Sequence, residues 1–197
     1  MNWSDFVSNV QKWARERDIY KYSTPDAQLL KALSEVGELA DAYIKQDAEG
    51  IVDGIGDIAV CLVNYQAMLG GPTEGVSKQL SAWAVEPGQA IGHMAVSIGA
   101  YIGKDAEDNH KLLPYMRTGL AIFAHDMQVS LGHCLQVAWD AIKERRGRMI
   151  PGGAFVKDEP CAEHTELESL KKQLAELENQ LEAIGAGGVT SGQKLRR

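Results

Sequence analysis

Glu35 and Glu38 stand three positions apart, and Asp53 and Asp57 four apart. These spacings put two side chains on one face of a helix, about one turn apart. Two antiparallel helices joined by the short connection 46-QDAE-49 can bring all four carboxylates together. Acids at such close quarters repel one another and raise each other's pKa unless a cation neutralises them. All-oxygen ligation favours Mg²⁺ or Mn²⁺ over Zn²⁺. For any single one of these acids, the alternative is that it points to water. The charge distribution follows the same pattern. From Thr24 to Gly70 eight acids face only Lys31 and Lys45, so six of the seven net negative charges of the chain lie there. In 139-WDAIKERRGRMI-150 the bias reverses, with Lys143, Arg145, Arg146 and Arg148 outweighing Asp140 and Glu144. An acidic and a basic stretch in one domain suggest a metal-and-phosphate site, the alternative being two solvated helix faces.

The elements that must carry these residues read as helices. Phe6, Val10 and Trp13 recur at helical spacing, with Ser4 as N-cap. A second helix spans 24–45, with Thr24 as cap, Pro25 at the first helical position and Asp26 facing the positive end of the dipole. Asp47 caps a third, running to about Met68 before 69-LGGPT-73 breaks the chain. Gly50, Gly54 and Gly56 are poor helix formers, so their presence points to close approach of another helix or a ligand. Further helices are expected at 74–86, 89–103, 114–130 and 133–147. No segment shows convincing strand alternation, so the expected class is all-α. The stretch 42-AYIKQDAE-49 recurs as 100-AYIGKDAE-107, and 69-LG-70 as 131-LG-132, which suggests an internal duplication of a helix pair. Aligned this way, Glu35, Glu38, Asp53 and Asp57 correspond to His93, Val96, Tyr115 and Gly119, so the second copy lacks the acids.

The chain has 197 residues, 45% of them hydrophobic, enough for one good-sized core and a small appendage. Its net charge of −7 argues against a general grip on nucleic acid. Uninterrupted apolar runs fall short of the roughly 20 residues of a membrane span, and MNWSDFVSNV lacks a signal-peptide pattern. Cys61, Cys134 and Cys161 read as reduced thiols of a cytoplasmic protein. Leu167, Leu170, Leu174, Leu177, Leu181 and Ile184 form an a/d seam over 163–184, a short coiled-coil helix, and the tail 185–197 reads as disordered.

The run 28-QLLKALSEVGELADAYIKQDAEGIVDGIGDIAVCLVNYQAMLG-70 resembles the MazG-like, all-α nucleoside triphosphate pyrophosphohydrolases, whose signature is an ExxE pair followed about twenty residues later by ExxD. The stretches 13-WARERDIYKYSTPDAQLLK-31 and 139-WDAIKERRGRM-149 are similar to the lead and closing basic helix of compact bacteriophage members, so the resemblance covers about residues 1–157. It implies a MazG-like helical bundle that cleaves a nucleotide between its α- and β-phosphates with Mg²⁺, in the host cytoplasm if phage-encoded. Glu35, Glu38 and Asp57 match the metal ligands. The remaining Glu falls at position 54, where this chain has Gly54, and Asp53 is the residue placed to substitute for it. Glu38, with Glu35 beside it, is expected to take the proton of the attacking water. Lys143, Arg145 and Arg146 are candidates for the triphosphate, Lys143 and Arg146 being favoured because they are three apart on an expected helix, and Lys31 is a further candidate. Trp13 and Trp139 could stack on a base, although helical aromatics are more often core. Hydrolysis of an alarmone, or cation-independent nucleotide binding by a degenerate scaffold, are the alternatives. The resemblance also implies a homodimer or larger homo-oligomer.

Overall fold

Two helices of equal length carry the acidic pairs, and local chemistry sets both of their facing ends. In α3 (Pro25–Lys45) the Thr24 side chain accepts from Ala27 N, Pro25 occupies the first turn, and Gln46 closes the helix in the left-handed conformation. Asp47 follows at once as N-cap of α4 (Ala48–Met68), accepting from Gly50 N. The chain therefore reverses within two residues, and α3 and α4 pack as an antiparallel hairpin.

The computed structural model describes residues 1–73, 75–78, 80–104, 111–150 and 155–157, together with 173, 174 and 177. Besides α3 and α4 it contains α1 (Trp3–Glu16), the single turn α2 (Ile19–Tyr22), α5 (Pro87–Gly99), α6 (Leu112–Asp126) and α7 (Leu131–Lys143). The fold is all-α, apart from a small ribbon in which β1 (Gly147–Met149) pairs antiparallel with β2 (Phe155–Lys157), Met149 opposite Phe155. Met1–Lys157 forms one compact unit and Asp158–Arg197 a second.

At the centre lies α4, which touches α1, α3, α6 and α7. It is buried nearly all round, from Ile51 through Ile55, Ile58 and Leu62 to Tyr65. By length and composition it would pass for a membrane span, but 78% of its apolar window is buried inside the fold. Its glycines explain the packing. A Cβ on Gly54 would lie 3.1 Å from Leu39 Cβ on α3, and one on Gly56 would lie 2.6 Å from the Cys134 carbonyl oxygen on α7. The close approach suggested by these glycines is thus to helices on both sides of α4.

Several expectations are corrected. Asn2, not Ser4, caps α1, its side chain accepting from Asp5 N at 2.9 Å. No α-helix occupies the described part of 74–86; a 3₁₀ turn at Leu80–Trp83 stands there instead. Ser77 N donates to Pro114 O and Thr118 Oγ1, so this backbone is tied to α6 rather than to its own preceding turn. Helix α7 ends at Lys143, not near 147, and the chain then enters a ribbon that apolar alternation did not reveal. A Cβ on Gly147 would collide with the Val156 carbonyl, so this residue type is what lets β1 and β2 meet.

Helices α5 and α6 pack together as a second pair. At Gly119, aligned with Asp57, the Trp83 ring fills the space a side chain would take. His93, aligned with Glu35, bonds the Ala82 carbonyl at 3.0 Å. Val96, aligned with Glu38, is exposed, and with Tyr115, aligned with Asp53, it lines a separate cavity, so this pair presents no acid at any of the four positions. Of the heptad seam, Leu174 and Leu177 are helical and exposed, whereas Leu167, Leu170, Leu181, Ile184 and the tail 185–197 lie outside the described residues.

Replacing Gly56 with Ala should destabilise the chain by about 1–3 kcal/mol, because the new methyl meets backbone that cannot swing away. Urea unfolding measures this, and an unchanged midpoint would contradict the packing described for α4 and α7.

Candidate functional site

Helical spacing places Lys31, Glu35 and Glu38 along one side of α3, and Asp53, Asp57, Cys61 and Asn64 along one side of α4. All seven line a single cavity of about 760 Å³. Trp13 of α1, Ile142 near the end of α7, Arg145 just beyond it, and Met149 and Phe155 of the ribbon complete its walls. A smaller cavity of about 260 Å³ shares Glu35, Glu38 and Asp53 and adds Asp41, Asp47 and Lys45. These three shared acids therefore form a wall between two recesses.

The carboxylates differ in environment. Glu35 is only 4% exposed, and its Oε1 pairs with Lys31 Nζ at 2.5 Å, one turn earlier on α3. Glu38 is exposed. Asp57 has its pKa pushed up to about 6, first by burial and then by the charges of Asp53 and Glu35, against the opposing pull of Arg145 and Lys31. Burial, reinforced by the charges of Glu35 and Asp57, drives the Cys61 thiol far above its ordinary range, so it is no thiolate nucleophile here. As the side chains stand, no group of three His, Cys, Asp or Glu among the described residues is gathered closely enough to hold a metal ion. The four acids share the cavity, with the Lys31 ammonium resting on one of them.

Only part of the expected phosphate-binding set is brought together. Lys31 and Arg145 line the cavity; Lys143 and Arg146 do not. Lys143 Nζ is 2.6 Å from Asp140 Oδ1 in an exposed i,i+3 pair, and Arg146 is exposed past the end of α7. The helical face that Lys143 and Arg146 were expected to share does not exist, because the helix stops between them. Trp13 lines the cavity but is 6% exposed, with Phe155 at 6.1 Å on one side and the Arg17 guanidinium over its ring at 5.1 Å. Trp139 is not among the lining residues.

Sequence reasoning missed Arg17, whose guanidinium donates to the carbonyls of Arg145 at 2.8 Å and Lys143 at 3.2 Å. It thereby satisfies backbone acceptors left open at the C-terminus of α7 and fixes the position of Arg145. It also missed Asn64, although seven residues after Asp57 is a spacing that keeps a side chain on the same helical face.

No protein-family model and no solved structure matches the chain. Among curated proteins it is similar to one of Haemophilus phage HP1 (strain HP1c1), the uncharacterized 18.2 kDa protein of the rep-hol intergenic region, with 37% identity over 57 residues. The match takes in 29% of this chain and spans 35% of the phage protein.

Asp57 gives the site a signature in stability. Its folded pKa of about 6 lies above the ordinary value near 3.8, so between these values the folded chain binds more protons than the unfolded one. Its contribution to stability therefore falls as pH rises through that window and stays lost above it. Asp57→Asn should unfold at a higher temperature than the wild type at pH 7 without divalent cations, with the advantage shrinking toward pH 4. Thermal unfolding at both pH values checks this, and no gain at pH 7 would contradict the crowding of charge.

Proposed function

We propose that the chain hydrolyses a nucleoside triphosphate to the monophosphate and pyrophosphate with the help of Mg²⁺ or Mn²⁺. The observation that carries this reading is the meeting of Glu35, Glu38, Asp53 and Asp57 with Lys31 and Arg145 on the walls of one ligand-sized cavity. The donor chemistry fits a hard divalent cation, since the four acids offer only oxygen and the neighbouring thiol is held protonated. When bound, that cation supplies Lewis acidity to the phosphate oxygens and lowers the pKa of a coordinated water.

The residues of the chain do the rest. Glu35, Asp57 and Asp53 are the residues that would hold the cation, with Glu38 completing the set. Glu38 has no ion pair among the described residues and stands at the exposed edge, which suits it to accept the proton of the attacking water. Arg145, steadied by Arg17, offers a planar donor fork to the phosphate chain and strengthens its bonds as charge grows on the leaving pyrophosphate. Lys31, paired here with Glu35, would be free to turn its ammonium to the phosphates if a cation took over the neutralisation of Glu35. The aromatic and aliphatic walls exclude water from the other half of the ligand. Exposed Leu174 and Leu177 support assembly of two or more copies through the heptad helix.

A second reading, cation-independent nucleotide binding without catalysis, is favoured by the Lys31–Glu35 pair, which already neutralises one carboxylate. Pyrophosphate release from a nucleotide panel separates the two. The hydrolase reading expects turnover that requires Mg²⁺ or Mn²⁺, loss of at least 100-fold in Glu38→Gln, as removal of a positioned base gives, and about tenfold or more in Arg145→Ala. Lys143→Ala and Arg146→Ala should stay near the wild type. Absence of turnover, or turnover indifferent to Glu38→Gln, would overturn it.

A further inference from the structure

Asn64 presents to the cavity an amide that is tethered through its oxygen. It lies two helical turns beyond Asp57 on α4, lines the same cavity and is 2% exposed. Its Oδ1 accepts a hydrogen bond from the Tyr20 hydroxyl at 3.0 Å. Tyr20 is not among the lining residues, so this bond anchors the amide from outside the cavity. Among the described residues Nδ2 has no partner. Nδ2 is not among the sealed-off polar atoms that lack a partner, so it is the end of the amide left open to the cavity.

The surroundings say what chemistry would satisfy it. The acids, Lys31 and Arg145 account for the charged part of the cavity, whereas Trp13, Ile19, Val60 and Phe155 supply apolar and aromatic wall. Gln28 is tethered in the opposite sense: its Nε2 donates to Ser23 Oγ at 2.9 Å outside the lining, which leaves its oxygen as acceptor, and the residue itself lines the cavity. Two neutral amides, each tethered at one end by a hydroxyl, suit a flat, uncharged heterocycle with polar edges. Seven residues of helix separate Asp57 from Asn64, a rise of about 10 Å, which the sugar and base of a nucleotide can bridge.

We infer that Asn64 donates through Nδ2 to a ring nitrogen or carbonyl oxygen of the nucleobase, making it the residue that sets base preference, with Tyr20 as the positioning residue that orients it. This rests on the hydrolase reading for its ligand. A site built to hydrogen-bond one group of its substrate discriminates strongly against ligands lacking that group.

The test compares nucleoside triphosphates carrying each of the four bases with ribose 5-triphosphate, which has none, using the full chain. The readout is the ratio of kcat/KM for base-bearing over abasic substrate. Asn64→Leu should lower that ratio about tenfold or more, a change that general structural damage would not produce because it slows both substrates alike. Asn64→Asp, which exchanges a donor for an acceptor, should reorder the four bases, and Tyr20→Phe should lower the ratio by less than Asn64→Leu does. Calorimetry with the corresponding nucleoside monophosphates, without divalent cation, keeps the two claims apart. Hydrolysis by the wild type with an unchanged ratio in Asn64→Leu and an unchanged order in Asn64→Asp overturns the role of Asn64 and leaves the hydrolase standing. Base-selective binding that depends on Asn64, without pyrophosphate release, supports the role of Asn64 and overturns the hydrolase. Neither binding nor turnover overturns both.

Discussion

Four carboxylates and two cations line the same cavity, and this imbalance governs how the site is built. Glu35 is buried and takes up Lys31, while Asp57 is half-buried near the exposed Asp53 and holds its proton to about pH 6. Neither arrangement stabilises the fold for its own sake. Crowding acids together with one buried and another half-buried costs stability where α3 and α4 meet. A cation entering between these helices would relieve the repulsion and release Lys31 for other use. Much of the remaining structure serves to hold the two helices close enough for this tension to exist.

The packing of α4 supplies that closeness. Gly54 faces Leu39 of α3 closely enough that a side chain there would make its neighbours give way, and Gly56 approaches α7 so tightly that its missing side chain is a condition of the contact. The position that carries Glu in the resembled family is thus turned toward Leu39 of α3 in this chain. Asp53, one residue earlier, lines the cavity instead. The same helix carries Asn64 further along, so one largely buried element presents both the acids and the amide.

The helical class, the ends of α3 and α4, and the shared faces of Glu35, Glu38, Asp53 and Asp57 were legible in the sequence, because caps and i,i+3 or i,i+4 spacings are local signals. The basic end of the site was not. Whether Lys143 and Arg146 or Arg145 faces the cavity depends on where α7 stops, and that is set by Arg17, 128 positions away from Arg145, and by a three-residue ribbon too short to show alternation. The expected helix after residue 73 failed for a similar reason, since the backbone of Ser77 is bonded to α6. Asn64 was visible as a residue on the right face, but its role comes from Tyr20, which lies on a different helix.

The central claim is that the acidic face of α3 and α4 is a cation site and not a pair of solvated helix faces. Titration of the full chain with Mn²⁺, followed by electron paramagnetic resonance, tests it most directly. The account predicts Mn²⁺ bound per chain at the cavity, displaced by Mg²⁺, weakened in Asp57→Asn and in Glu35→Gln, and weakened by acidification through pH 6, where Asp57 regains its proton. Mn²⁺ that stays free at millimolar concentration, or binding indifferent to both substitutions, would contradict it.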